Sequence, residues 1–239
     1  MKTLTIKLAS SLQSYGDSAH FGYRTTYRQP SKSAVLGMIA AALGYRHDDL
    51  RIRDLNQLSF AVRTDQLEKQ LVDFQTIDVG KRAPKLSHRY YWMDAIFIVA
   101  IAGDDAQIDH IEYALHHPKF QLYLGRKSTP PAGWLETKTY ADQTPVEVLK
   151  TLPWQASDWF KRRHRRDAEW RAEIHADAAM LPGHPTELAK DLLGGTSLSS
   201  RYHLYRPVAA ISVQLKNPAY QPAEAFGKET TQDVMTNFD

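Results

Sequence analysis

The sequence predicts an α+β fold, and three observations carry that expectation. Short runs alternate apolar and polar residues with the period of two that half-buried strands require, first at Leu4, Ile6 and Leu8 among Thr3, Thr5 and Lys7. Two other segments repeat apolar residues at three- and four-residue spacing, the period of a helix lying on a core. Their order along the chain is β-α-β, a β excursion, then β-α-β. That order is ferredoxin-like, with two helices on one face of an antiparallel sheet.

After the opening strand, Val35, Leu36, Ile39, Ala42 and Leu43 mark a helix over 31–43, with Ser31 or Ser33 as N-cap and Gly44 as terminator. Phe60 and Val62, and then Leu71 to Ile77, read as strands. The stretch DAIFIVAIA, Asp94 to Ala102, is apolar on both parities and suits a central strand covered on both faces. Asp104 and Asp105 open a second helix whose stripe is Ile108, Ile111 and Leu115, closed by His116, His117 and Pro118. Phe120 to Leu124 is expected to be the last strand of this unit. Past Gly133 the pattern changes: Pro145 to Leu152 is a short helical signal broken by Pro153, Trp170 to Ala176 alternates, and Tyr205 to Leu215 is again β-like. The expected organisation is a first domain over 1–135, a smaller C-terminal β-rich lobe over 136–215, and a polar tail or arm over 216–239.

A chain of 239 residues, 43% hydrophobic and 24% charged, has the composition of a globular protein with a sizeable core. Its lack of cysteine excludes disulfides and thiolate metal sites, and its ten histidines fall in no ligand spacing, so neither metal nor cofactor is expected. The longest apolar run, Ala95 to Ala102, is too short to cross a bilayer, and the first residues alternate like a strand rather than a signal sequence. A cytoplasmic protein without a membrane partner is expected. Net charge is only +3. The distribution says more, because cations gather at 24–32, 81–89, 126–127, 161–171 and 201–206.

Four of these segments invite a nucleic-acid reading. In LYLGRKSTPPAG, residues 122–133, an apolar run ends at a glycine and two cations follow; with Arg126 directly before Lys127, the phosphate loop G-x-x-x-x-G-K-[ST] is not met. In TIDVGKRAPKLSHRYYWMDA, residues 76–95, Lys81, Arg82, Lys85 and Arg89 suit a phosphate backbone while Tyr90 or Tyr91 suits stacking on an unpaired base. Arg24, Arg28 and Lys32 lead into the first helix, where free N–H groups favour an anion. Arg201, Tyr202 and Arg206 precede the last strand. The densest basic run, Trp159 to Arg166, suits nucleic acid, an acidic partner or solvent alone. A metal-free ribonuclease is the alternative, with His88 beside Lys85 and Tyr91, or His20 beside Tyr23, as acid or base.

Taken together, LASSLQSYGD, RQPSKSAVLGMIAAALG, LSFAVRTDQ, DFQT, SHRYYWMDAIFIVAI and FQLYLGRKSTPPAG resemble, in content and order, the CRISPR-associated Cas-five family, most closely its subtype I-E branch. The resemblance covers residues 1–135 and continues only through SRYHLYRPV. It implies an RRM-related, ferredoxin-like palm, an inserted thumb loop over about 76–94, and a small β-rich C-terminal lobe. The function it implies is that of a non-enzymatic Cascade subunit that grips the 5′ handle of the guide crRNA and bridges the backbone and large subunits in antiviral defence. Target DNA is then met indirectly, through the complex. Handle contacts carried over onto this chain are Arg24, Arg28, Lys32, Arg126 and Lys127, with Lys81, Arg82, Lys85, His88, Arg89 and Tyr90 on the thumb, and Arg201 and Arg206 beyond. The runner-up is a metal-independent endoribonuclease processing precursor crRNA, as the equivalent protein does in another branch.

Overall fold

The computed structural model describes residues 1–20, 22–77, 80, 85–194 and 203–222. The alternating N-terminal residues form β1 (Lys2–Ala9), followed by the short β2 (Leu12–Gln13) and the hairpin of β3 (Gly16–His20) and β4 (Tyr23–Thr26). Next come α1 (Lys32–Leu43), α2 (Arg51–Asp54), β5 (Ser59–Gln66), β6 (Gln70–Ile77), β7 (Lys85–Met93), β8 (Ile96–Gly103) and α3 (Asp105–His116). The chain continues through β9 (Glu136–Ala141), α4 (Pro145–Thr151), α5 (Asp158–Arg163), β10 (Glu169–Asp177), β11 (Thr186–Leu193) and β12 (His203–Lys216).

Caps fall where side-chain chemistry puts them. The Ser31 side chain accepts from Ala34 N–H, and Gly44 ends α1 in the left-handed region at φ 79°. Asp104 caps α3 through Ala106 N–H. Thr144 and Glu147 form a reciprocal capping box on α4, with Pro145 in its first turn.

Among the described residues, seven strands make one sheet in the order β11-β12-β10-β5-β8-β1-β9, every pair antiparallel. β8 is central and splits by parity. Phe97, Val99 and Ile101 join the core under α1 and α3, with Val35, Ile39, Ile108 and Leu115. Ile96, Ile98 and Ala100 face the other core, built with Val146 and Leu149 of α4 and Ile174 of β10. A second sheet runs β2-β7-β4-β3, with β6 also paired to β7; within it β4 and β7 are parallel.

Two sequence expectations change. Phe120 to Leu124 is not a strand: Lys119 and Phe120 donate their N–H groups to Ala42 O and Ala41 O, closing the C-terminus of α1, so that backbone is committed elsewhere. Its period-two pattern comes from Leu122 and Leu124 turning into the core. The fourth strand beside β1 is instead β9, a polar edge strand with little apolar alternation to announce it. Strands from both sides of residue 135 share one sheet, since β9 pairs with β1 and β10 extends it from β5. The expected thumb loop contains a strand, β7, paired along its length with β6.

A buried ion pair joins the sheet to α4. The Arg63 guanidinium and Asp65 carboxylate, both fully buried on β5, meet through two hydrogen bonds of 2.6 and 2.8 Å. Arg63 also donates to Leu149 O, Leu152 O and Pro153 O at the end of α4, while Asp65 accepts from Gln155 N–H. Removing one partner strands a charge in the core, at a cost of about 3–5 kcal/mol. Asp65→Ala is expected to lower the urea unfolding midpoint by that free energy divided by an unchanged m-value, measured by far-UV circular dichroism.

Candidate nucleic-acid interface

The cations of residues 122–133 are aimed by a backbone contact. Gly125 sits at φ 90°, and a Cβ there would lie 1.7 Å from the carbonyl oxygen of Ser14. Only glycine fits, for both conformation and space. Ser14 binds the turn from the other side, its N–H donating to Leu124 O and its hydroxyl to Tyr90 O on β7. Thr129, fully buried, closes the turn: its hydroxyl is shared between Leu124 O and Arg126 O and accepts the Arg126 N–H. Glycine was expected to let the chain approach RNA. The missing Cβ is taken up instead by Ser14, within the chain.

From this turn the Arg126 guanidinium reaches over the Tyr91 ring at 4.6 Å, and one of its nitrogens donates to Arg24 O on β4. Its other terminal nitrogen is buried with no hydrogen-bond partner among the described residues, as are Arg89 Nε and Ser87 Oγ. Alternation along β7 puts Ser87, Arg89 and Tyr91 on one face, and β4 brings Arg24 opposite Arg89. Burial pushes the Tyr91 hydroxyl up, but hydrogen bonds from Ser128 and Arg126 and the Arg126 and Arg89 charges outweigh it and leave the group below its ordinary value. Among the described residues, no carboxylate forms an ion pair with Arg89 or Arg126. The site is a partly buried cluster of positive charge with donors left open among the described residues.

The other face of β7 differs. His88 stacks on Tyr23, centroids 4.7 Å apart and planes 7° from parallel, and Phe74 meets it edge-on at 5.2 Å. Tyr23 and Phe74 are more than half exposed, so this is an open aromatic platform. Because Tyr91 lies on the opposite face, strand alternation keeps it from the His88 ring in the arrangement considered for a nuclease.

A family model described as "CRISPR-associated protein (Cas_Cas5)" matches residues 3–218. The chain belongs to the CRISPR-associated Cas5 family. It is 33% identical over 168 residues to the protein named CRISPR system Cascade subunit CasD of Escherichia coli strain K12, a match spanning 61% of this chain and 75% of that one. Its structure is similar to a chain of a CRISPR RNA-guided surveillance complex, with TM-score 0.73 and 27% identity over 92% of this chain and 94% of that chain. A Cas protein crystal structure matches with TM-score 0.63 and 26% identity, over 92% of this chain and 98% of that one.

Within this Cas5 chain the expected contact residues divide. Arg24, Arg89 and Arg126 come together, with His88 and Tyr90 on the same strand as Arg89 and exposed Lys127 beside Arg126. Arg28 is exposed but lines a different cleft, with Thr64, Trp170 and Arg171. Lys32 and Arg206 depart from expectation. Arg206 grips Asp191 with two nitrogens at 2.8 and 2.9 Å and Asp177 with a third at 2.6 Å, and Lys32 is buried against Asp177. This network fastens the start of α1 to β10, β11 and β12, leaving neither cation free for RNA. Burial lowers the Lys32 pKa, Asp177 works against that, and Arg206 adds to the lowering. Lys81, Arg82 and Arg201, and the side chains of Lys85 and His20, lie outside the described residues.

Sequence reasoning missed Ser14, Ser87 and Phe74, took Tyr23 only as a partner of His20 in the ribonuclease alternative, and took Tyr91 only as an alternative to Tyr90 for stacking or as a partner of His88 in that same ribonuclease reading. Their signals were ordinary strand residues; contact with residues far along the chain makes them a site. Gly125→Ala is expected to cost about 1–3 kcal/mol in strained backbone alone and, by displacing the turn, to lower affinity for single-stranded RNA. Urea unfolding and fluorescence anisotropy measure the two effects.

Proposed function

We propose that this chain is the crRNA-binding structural subunit of a Cascade-type surveillance complex, in the type I-E manner, holding the 5′ handle of the guide RNA in the pocket of Arg24, Arg89 and Arg126. One observation carries the reading: guanidinium nitrogens of Arg89 and Arg126 and the Ser87 hydroxyl are buried without hydrogen-bond partners among the described residues. A buried polar group left unsatisfied costs about 1–3 kcal/mol. A phosphate answers that need, because its oxygens accept fork-like bonds from arginine and its charge offsets two guanidinium groups held close together. The platform of Tyr23, His88 and Phe74, on the opposite face of β7, offers ring faces to unpaired bases, as single-stranded RNA recognition requires.

In this reading the strands in the order β9-β1-β8-β5, with α1 and α3 on one face, are a ferredoxin-like, RRM-related palm. The β6 and β7 hairpin is the thumb. Phosphate contacts supply most of the affinity and no bond is broken, so positioning is the function. Bridging to the backbone and large subunits, cytoplasmic location and contact with target DNA through the complex follow from membership of such an assembly. The likeness to CasD and to a surveillance-complex chain supports this.

The test is anisotropy of labelled handle RNA titrated with the wild type and with Arg89→Ala and Arg126→Ala. Each variant is expected to weaken binding about tenfold or more, as loss of a charged hydrogen bond does. The slope of log affinity against log salt should shrink by about 0.7 per lost contact. Unchanged affinity in the double variant overturns the proposal.

A further inference from the structure

The cleft that Arg28 lines lies close along the chain to the handle pocket. β4 brings Arg24 into that pocket, and four residues later Arg28 and Gln29 form one wall of the cleft. Thr64 of β5, Leu67 just after it, and Trp170, Arg171 and Glu173 of β10 form the rest. Four residues of backbone span at most about 14 Å. At a rise of about 3.4 Å per nucleotide, that gap is about four nucleotides of stacked strand. The stretch between is pinned near its end: Tyr27 N–H donates to Tyr15 O, and Tyr27 O accepts the Trp92 indole N–H, both at 2.7 Å. Trp92 lies on β7, the strand of Arg89 and Tyr91. Pocket and cleft are therefore tied to one frame.

The cleft has the charge and size for a phosphate. Arg28 is exposed, with neither an ion pair nor a hydrogen bond among the described residues. Arg171 is exposed too. Its Nε donates to Ser212 Oγ at 3.0 Å, which orients the guanidinium and leaves both terminal nitrogens without a partner among the described residues. Glu173, the carboxylate in the lining, meets His175 Nε2 at 3.4 Å. Two guanidinium groups against one carboxylate leave the recess net positive. Gln29 and Thr64 add neutral donors for phosphate oxygens. The volume, about 160 Å³, is well under the roughly 300 Å³ at which clefts begin to enclose a whole small molecule, so the recess suits one group of a longer ligand.

We propose that this cleft is a second phosphate subsite for the guide RNA, with Arg28 and Arg171 as its forks; the identity of the strand rests on the handle reading. Arginine forks match phosphate oxygens in pairs. A recess between chain segments admits one phosphate of a flexible single strand, whereas a duplex, stiff over about 150 base pairs, does not bend into it. The rings ask for no base here. Trp170 is stacked on Trp154 at 5.1 Å and meets Phe160 and His164 edge-on, and Trp159, 41% exposed on α5, does not line the cleft. What the cleft reads is backbone, so contact here is independent of sequence. A carboxylate side chain also fits one fork, but two forks beside a pocket that holds RNA favour the polymer with a charge on every unit.

The experiment titrates the full chain into labelled handle RNA in which one linkage at a time is an uncharged methylphosphonate. One position is expected to weaken wild-type binding about tenfold and to cost nothing in Arg28→Ala/Arg171→Ala, where that phosphate has already lost its partners. It should lie within about four linkages of the position coupled to Arg89 and Arg126. With unmodified RNA the double variant is expected to bind about tenfold more weakly, its salt slope smaller by about 0.7, the value for one phosphate. Glu173→Gln, which removes a like charge from the recess, should tighten binding about twofold while Arg28 and Arg171 are present and not in their absence, a gain that misfolding does not produce. Unchanged affinity in the double variant, no linkage coupled to Arg28 and Arg171, or the same linkage coupled to Arg89 and Arg126 overturns the subsite and leaves the handle pocket standing. A linkage coupled to Arg28 and Arg171 with Arg89→Ala and Arg126→Ala silent supports the subsite and overturns the pocket. Polyglutamate that binds the wild type more tightly than the RNA, and loses that affinity in the double variant, assigns the cleft to an acidic protein segment and overturns the subsite.

Discussion

The candidate site depends on one close approach, that of Gly125 to the carbonyl of Ser14. A 1.7 Å gap at the position of a Cβ means that the turn after α3 and the segment after β1 share space that no other residue type leaves open. Ser14 in turn donates to Tyr90 O, so the end of β2, β7 and the arginine-bearing turn are joined. Arg126 lies over Tyr91 because the backbone delivers it there. The pocket is thus rigid before any ligand arrives, which reduces the ordering cost of binding.

The same side-chain chemistry is used here in two opposite ways, and the presence or absence of a carboxylate decides which. Arg63 and Arg206 are buried with aspartates that match their forks, and serve as fasteners between the sheet and α4 or between α1 and the last strands. Arg89 and Arg126 hold buried nitrogens that meet no acid among the described residues. A paired arginine in a core is neutralised locally, whereas an unpaired one keeps a field and open donors. That difference separates structural cations from candidates for phosphate binding more sharply than exposure does.

The fold is organised around β8, whose two apolar faces let one sheet carry two cores. With α1 and α3 on one side and α4 on the other, the sheet is free to grow through β10, β12 and β11. The candidate contact residues hang off this slab, on the second sheet and the turn at 125–129. Neither of these contributes much apolar burial, which is why their residues can be spent on charge and exposed rings.

The sequence by itself determined the elements whose signal is local. Alternation marked β1, and double-sided apolarity marked β8. Helical spacing with Ser31, Gly44 and Asp104 marked α1 and α3, and the order of motifs pointed to the Cas5 family. It also named Arg24, Arg89 and Arg126. Only the tertiary structure could decide that polar β9, not Phe120 to Leu124, lies beside β1, because an edge strand needs no apolar pattern while a loop packed on a core acquires one. It alone separated Lys32 and Arg206 from the pocket and joined Ser14, Ser87 and Tyr91 to it. The physical reason is the same throughout: periodicity reports what one segment does against an average environment. Whether a charge is neutralised, or a missing Cβ is filled, depends on atoms that arrive from a hundred residues away.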